Sequence, residues 1–307
     1  MRIAHISDLH VLALTGVPRH RFLNKRLTGY ANLRFKRNHV HKSSYVESIA
    51  KEIARSKIDH VVVTGDLTNL ALETEFEAAR DLLERGLGLS PKDVSVVPGN
   101  HDLYTAGALK SRRFTQFFAE YIQSDLPELA AKTRLGPFPF VRLRGPCAII
   151  GLTTAVPRPP FVASGTIGKA QLDAFAKILS HEEVRKRTPV VLLHHPLHNP
   201  PSKLKTLLEG LTDADELAEH LRSAVAADGL VLHGHLHRRQ TKALSHDRKG
   251  IHVVGATSAS LHHEHRDRMA GFNVYDIAED GRVELCDARV FDAEKETFQP
   301  AAIPVLG

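Results

Sequence analysis

Two kinds of apolar spacing alternate along most of the chain. Short runs rich in β-branched residues predict strands at 2–7, 60–64, 94–97, 140–143, 147–153, 189–194, 230–233, 252–255, 271–276 and 283–288. Between several of them, apolar residues recur every three or four positions, the spacing of an amphipathic helix. Val46, Ile49, Ala50 and Ile53 form one such face, preceded by the capping-box pattern Ser44-Tyr45-Val46-Glu47. Leu72, Phe76, Ala79 and Leu83 form a second, stopped by Gly86. Leu172, Phe175, Ala176 and Leu179 make a third, and Leu217, Leu221 and Val225 a fourth, opened by Thr212-Asp213-Ala214-Asp215. Strand–helix alternation early in the chain argues for parallel pairing there, and closely spaced strands near the end argue for antiparallel pairing. The expected class is α/β. No repeat, low-complexity tract or linker interrupts the rhythm, so a single domain over 1–307 is expected, with insertions at 17–42 and 103–137. The second insertion carries Phe114, Phe117, Phe118, Tyr121 and Ile122 at helical spacing, which reads as core packing.

Composition adds little until charge is placed along the chain. The 42% hydrophobic and 25% charged residues suit a globular protein, and no apolar run reaches the length of a membrane span. The first residues pass directly into a strand pattern without a secretory leader, and only two cysteines occur, Cys147 and Cys286, both in strand-like segments. A reducing compartment, the cytoplasm, is therefore expected. The net charge of +6 is concentrated: residues 9–46 hold Arg19, Arg21, Lys25, Arg26, Arg34, Lys36, Arg37 and Lys42 with no acid, leaving the rest slightly acidic. As a helix, 17–42 would place Phe22, Leu23, Leu27, Tyr30 and Leu33 on one side. Two readings stay open for this basic, lid-like segment: a solvated loop, or a peripheral contact with an anionic membrane at the inner face. Nucleic acid is not expected as a partner, because the charge is local and aromatics there are few.

The chemistry-bearing residues fall just after strands. Asp8-Leu9-His10, Gly65-Asp66, Gly99-Asn100-His101-Asp102, His194-His195-Pro196 and Gly234-His235-Leu236-His237 each follow one. Carboxyl ends of parallel strands share an edge, where ligand crevices form. Convergence there would assemble carboxylate, amide and imidazole donors without thiolate, a set suited to hard or borderline divalent ions.

In this order and context the motifs resemble the calcineurin-like metallophosphoesterase superfamily. Ser-Asp-Leu-His at 7–10, Thr-Gly-Asp-Leu-Thr at 64–68, Val-Pro-Gly-Asn-His-Asp at 97–102, His-His-Pro at 194–196 and Gly-Ala-Thr-Ser at 255–258 resemble its bacterial cyclic-nucleotide-phosphodiesterase-like group most. The resemblance implies a four-layer αββα sandwich of two mixed sheets flanked by helices. It implies two divalent metal ions (Mn foremost, or Fe, Zn or Co), one held by Asp8, His10, Asp66 and His237, the other by Asp66, Asn100, His194 and His235. The implied activity is hydrolysis of a phosphodiester or pyrophosphate bond in a phosphate-containing small molecule of nucleotide type, by attack of a metal-bridging hydroxide. His101 would lie beside the scissile phosphate and protonate the leaving oxygen. Asp102 would orient His101 or cap a helix, and His195 would contact substrate or support its neighbours. His262, His263 and His265 read as a polar loop before a metal tract. Competing readings are a membrane-surface pyrophosphatase or phosphodiesterase on a lipid-linked substrate, a nuclease, and a non-catalytic metal-binding scaffold. The last is disfavoured because every ligand position and His101 are filled.

Overall fold

A computed structural model describes residues 1–22, 26–27, 41–225, 228–244 and 250–306, apart from the side chains of Leu285 and Cys286. The strands are β1 (Arg2–Ile6), β2 (His60–Val63), β3 (Val94–Val96), β4 (Ala131–Lys132), β5 (Pro137–Phe138), β6 (Phe140–Arg144), β7 (Cys147–Gly151), β8 (Thr188–Leu192), β9 (Gly229–His233), β10 (Gln240–Ala243), β11 (Ile251–Gly255), β12 (Gly271–Ile277), β13 (Val283–Asp292) and β14 (Thr297–Ala301). The α-helices among the described residues are α1 (Ser43–Arg55), α2 (Glu73–Gly86), α3 (Ala106–Lys110), α4 (Arg113–Phe117), α5 (Lys169–Ser180), α6 (Glu182–Arg185), α7 (Lys203–Glu209) and α8 (Ala214–Ala224).

Two mixed sheets result, ordered β14-β13-β12-β1-β2-β3 and β10-β11-β9-β8-β7-β6. Parallel pairing joins β1, β2 and β3, and also β7, β8, β9 and β11. The late strands β12, β13 and β14 pair antiparallel, as their close spacing implied. All ten expected strands are present with small shifts at their ends. Four strands were not expected: the two-residue β4 and β5, which pair only with each other, and β10 and β14, edge strands with few apolar residues, Gln-Thr-Lys-Ala and Thr-Phe-Gln-Pro-Ala.

The layers follow from period-2 burial along the second sheet. Cys147, Ile149, Val190, Leu192, Leu230 and Leu232 face the first sheet in one large core that also holds the apolar faces of α1 and α2. Their alternates, Ala148, Ile150, Val191, Leu193 and Val231, face outward onto Leu172, Phe175 and Ile178 of α5 and Leu217 and Leu221 of α8. Helix, sheet, sheet, helix is the resulting order. Phe114, Phe118, Tyr121 and Ile122 join the large core, and Phe117 stacks on Phe76 of α2 at 5.6 Å.

One helix start differs from expectation. Helix α1 begins at Ser43 behind Lys42, with no side-chain cap, so the Ser44–Glu47 capping box does not form. The lead-in is set instead by a tertiary pairing: His41 bridges Leu261, and the Lys42 amide donates to the Ser260 carbonyl at 2.7 Å. At α2, the Glu75 carboxylate reaches back to the amides of Leu70 and Leu72, and burial raises its pKa to about 7.

Much of the amphipathic side expected for 17–42, including Leu23, Tyr30 and Leu33, lies outside the described residues. Two of its cations bond inward. Arg21 pairs with Glu73, and buried Arg26 donates to the carbonyls of Leu70 and Ala71. Among the described residues no helix is long and apolar enough to cross a membrane.

Arg142 on edge strand β6 is buried and donates to five carbonyls, those of Gln123, Pro91, Lys92, Val94 and Glu120. It thereby ties β6 of the second sheet to the segment leading into β3 of the first. Arg142→Met, which fills the space but removes every donor, should cost about 3 kcal/mol or more in urea unfolding, since hydrogen bonds to a charged group contribute roughly 1.5–3 kcal/mol each and buried carbonyls are left unmet. Buried His60, bonded to Ser95 at 2.9 Å, has its pKa pushed down to about 3 by burial, with Arg142 and Arg144 adding to the effect. The unfolded chain therefore binds this proton first. His60's contribution is complete above about pH 6.5 and is lost progressively as pH falls toward 3. Between pH 7 and pH 5, His60→Gln should lose about 2 kcal/mol less stability than the parent chain, at ~1.4 kcal/mol per pH unit.

Candidate metal centre

Five loops leave the carboxyl ends of β1, β2, β3, β8 and β9 and meet where the two sheets abut. Their backbone is forced into an uncommon conformation. Asp8, His10, Asp66, His235 and His237 have φ of 52°, 48°, 52°, 68° and 47°, all in the left-handed region. Non-glycine residues pay roughly 1–3 kcal/mol each for sparsely populated conformations and keep them only where surroundings over-determine them. Here the surroundings do. The amides of Asp8 and His10 donate to the carbonyls of Gly65 and Asp66 at 2.9 and 3.0 Å, and Ser258 Oγ donates to the Asp8 carbonyl at 2.7 Å. Gly99 and Gly234 are required by close approach: a Cβ on either would collide with the carboxylate of Asp66 or Asp8.

The seven sequence-predicted donors are brought together. His237 Nε2 lies 3.0 Å from Asp8 Oδ1 and 3.2 Å from His10 Nε2. Asp66 Oδ2 sits between the two halves of the centre, 4.0 Å from His10 Nε2 and 3.4 Å from His194 Nε2. Asn100 Oδ1 lies 3.1 Å from His194 Nε2 and 3.2 Å from His235 Nδ1. Asp8, His10 and His237 form one group whose ligand atoms lie within 4.8 Å of one another, and Asp8, Asp66 and His194 form another.

Hydrogen bonds at the far ring nitrogens orient several of these lone pairs. His194 Nδ1 donates to the Thr64 carbonyl at 2.7 Å, so Nε2 is the ring nitrogen that faces Asp66 and Asn100, and the Asp66 carboxylate outweighs burial to raise the ring's pKa to about 9. His235 Nε2 donates to the Glu209 carbonyl at 2.9 Å, leaving the lone pair at Nδ1. A carbonyl holding the outer N–H is the usual support of a metal-binding imidazole. Lone pairs and carboxylates aimed at a common point repel unless a cation lies between them. Bonds of ~2.0–2.2 Å to one ion place neighbouring ligands roughly 3–3.5 Å apart, the spacing of the closer pairs here, while His10 Nε2 stands 4.0 Å from Asp66 Oδ2. The donor set therefore fits divalent cations.

Protonated imidazoles exert on these carboxylates the pull that cations would exert. Burial alone would raise the pKa of Asp66, but the imidazoles of His194, His101 and His10 outweigh it and hold the carboxyl well below its usual range. Asp8 is lowered too, burial being outweighed by His237 and His194.

His101 stands at the rim, with a ring nitrogen within 4.8 Å of ligand atoms of His10 and Asp66. Its Nδ1 donates to the Asn69 carbonyl at 2.7 Å, and its ring stacks on Tyr104 at 5.4 Å. The orienting contact expected of Asp102 is thus made by a backbone carbonyl. Asp102 instead accepts from the amides of Leu67, Thr68 and Gly99 and from Thr68 Oγ1, clamping the Asp66 loop to the Asn100 loop. Burial and the charge of Asp66 raise its pKa to about 7. His195 is buried, with Nδ1 bonded to Thr154 Oγ1 at 2.8 Å and Nε2 to the Ala163 carbonyl at 2.7 Å. Both ring nitrogens face protein, which leaves no donor for a substrate and places the ring as a support 4.5 Å beneath His235. His263 Nδ1 accepts from the His265 amide and His262 meets Tyr45, as in a polar loop.

Three contributors escaped sequence reading. Asn69 Nδ2 donates to the carbonyls of His10 and Val11 while its own carbonyl holds His101. Ser7 Oγ donates to Asp8 Oδ2 at 2.6 Å. His41, anchored on Ser260 Oγ, packs edge-on against His10 at 5.0 Å and His237 at 5.8 Å between ring centres. Ser7 lies inside a motif and was within reach, whereas nothing local marks Asn69 or His41.

Comparison with known proteins agrees with this geometry. The pattern of calcineurin-like phosphoesterases matches residues 1–239. No curated protein sequence matches the chain. Among solved structures, a dimetal phosphatase from Danio rerio aligns with a TM-score of 0.57 at 13% identity, covering 99% of this chain and 98% of that one. A purple acid phosphatase from yellow lupin (Lupinus luteus) seeds aligns at 0.60 and 13% identity, over 98% of this chain and 52% of the other. A 5′-nucleotidase from Candida albicans aligns at 0.52 and 13% identity, over 91% and 47%. At such identities the likeness is one of fold, a mixed α/β sandwich of two sheets flanked by helices. With the family pattern spanning most of its length, the chain is a metallophosphoesterase and belongs to the calcineurin-like phosphoesterase family.

Proposed function

We propose that this protein hydrolyses a phosphodiester or pyrophosphate bond in a nucleotide-type substrate. The reading assigns Asp8, His10, Asp66 and His237 to one divalent cation and Asp66, Asn100, His194 and His235 to a second, with Asp66 shared. The observation that carries it is the position of Asp66 Oδ2 between Nε2 of His10 and Nε2 of His194. Oxygen and imidazole donors without thiolate suit Mn first, then Fe, Zn or Co. When bound, such a pair polarises phosphoryl oxygens and acidifies water between them.

The chain's own residues do the rest. Asp66 is held by its second oxygen, Oδ1, which accepts from the His101 amide at 2.8 Å. Because the Asn69 carbonyl can only accept, Nδ1 of His101 always carries a hydrogen, and the exchangeable proton of this ring is the one at Nε2. His101 is therefore set to hand a proton to the departing oxygen and to stabilise negative charge on the phosphoryl group. Asp102 and His195 act as supports, one joining two loops and the other bracing His235. Neutral imidazole and amide ligands leave a positive field in the crevice, as an anionic ester requires.

His101→Ala should retain its metal by elemental analysis yet lose about 10²–10⁴-fold in kcat on a diester with a poor leaving group. Full activity there would remove its assigned role. Asp66→Asn should deplete both cations, and Asp8→Asn mainly one, measured as metal per chain after desalting. A panel of cyclic nucleotides, nucleotide pyrophosphates and generic diesters, with Mn supplied, tests the substrate class. Absence of turnover on every member sinks this reading.

A further inference from the structure

Helix α7 is an inverted amphipathic helix. Leu204, Leu207 and Leu208 follow i, i+3, i+4 spacing, which ordinarily turns a face inward. No residue of α7 is buried, and these leucines are 66%, 61% and 40% exposed. Phe161, on the adjoining loop, is 93% exposed, and that loop is tied to the helix by the Ala163 amide donating to the Leu208 carbonyl at 2.7 Å. Leu236, between His235 and His237, adds a further side chain, 39% exposed. The patch borders the metal centre directly, because the Glu209 carbonyl that ends α7 accepts from His235. A cluster of this kind usually marks a contact surface.

Charge decides which contact. Lys203 and Lys205 on α7 and Arg158 before Phe161 face one acid, Glu209, in segments 155–163 and 196–209. Two copies meeting through this face about a twofold axis would set lysines against lysines. Leucines and a phenylalanine protruding beside cations instead fit the boundary between acyl chains and anionic headgroups.

We infer that the face formed by α7 and Phe161 docks the protein on a bilayer bearing anionic headgroups, with the crevice opening beside the headgroup layer. The inference does not rest on which bond is cleaved.

Flotation with phosphatidylcholine vesicles, with and without phosphatidylglycerol, tests it. The intact chain should float with the anionic vesicles and bind pure phosphatidylcholine weakly. The triple variant Phe161→Asp, Leu204→Asp, Leu207→Asp should lower the bound fraction at least about tenfold, since each buried apolar group is lost and a repelled charge added. The milder Leu204→Ser, Leu207→Ser variant should fall between, and near-UV circular dichroism checks that both keep the parent fold. No flotation of the intact chain, or flotation equal in chain and triple variant, overturns the inference. So does light scattering that shows a dimer in the parent and a monomer in the triple variant, which makes a second copy the occupant. Flotation is read without turnover. An inactive chain that floats and loses binding in the variant supports docking while counting against the proposed hydrolysis.

Discussion

Two carboxylates buried at the seam of the sandwich set the terms for the rest of this molecule. Asp8 and Asp66 are almost wholly buried, where an ionised group is costly unless it is paired and hydrogen-bonded. The compensation around them is extensive. Backbone amides of His235 and His101 and the Ser7 hydroxyl serve one oxygen of each pair, and imidazoles crowd the other. Such a site accumulates repulsion among its own donors, and divalent cations relieve it. Left-handed turns at five of the seven donors and glycines that permit backbone contact are the steric cost of packing so many polar groups together.

The sandwich makes that concentration possible. Each sheet alone would present its strand ends to solvent. Facing one another, they close the seam with bonds that cross between them: His194 of the second sheet donates to Thr64 of the first, and the His235 amide donates to Asp8. Elsewhere Arg142 performs a similar join, its charged guanidinium donating to backbone carbonyls. The centre therefore reports the register of two sheets, and its geometry is only as firm as their packing.

Supporting residues show how roles depend on surroundings. Aspartate and histidine beside candidate ligands invite chemical roles, yet Asp102 spends its carboxylate on three amides and His195 spends both nitrogens on protein partners. The orienting of His101 is done by a group without identity in a motif, the Asn69 carbonyl. The start of α1 tells the same story, where a bridge to residues 260–261 overrides a local capping pattern.

Local order along the chain was enough to determine the strands with regular apolar runs, the helices with clear apolar faces, the parallel and antiparallel halves, and the donor types waiting at strand ends. Those properties are periodic or contiguous, so neighbours in sequence encode them. Tertiary structure alone decided that the donors come from both sheets, that His41 joins their rim, that α7 turns its leucines outward, and that polar edge strands β10 and β14 complete the sheets. Each of these is a contact, or an absence of one, between segments far apart in the chain. Such contacts depend on which faces the closed sandwich leaves room to cover, and no short window of residues carries that information.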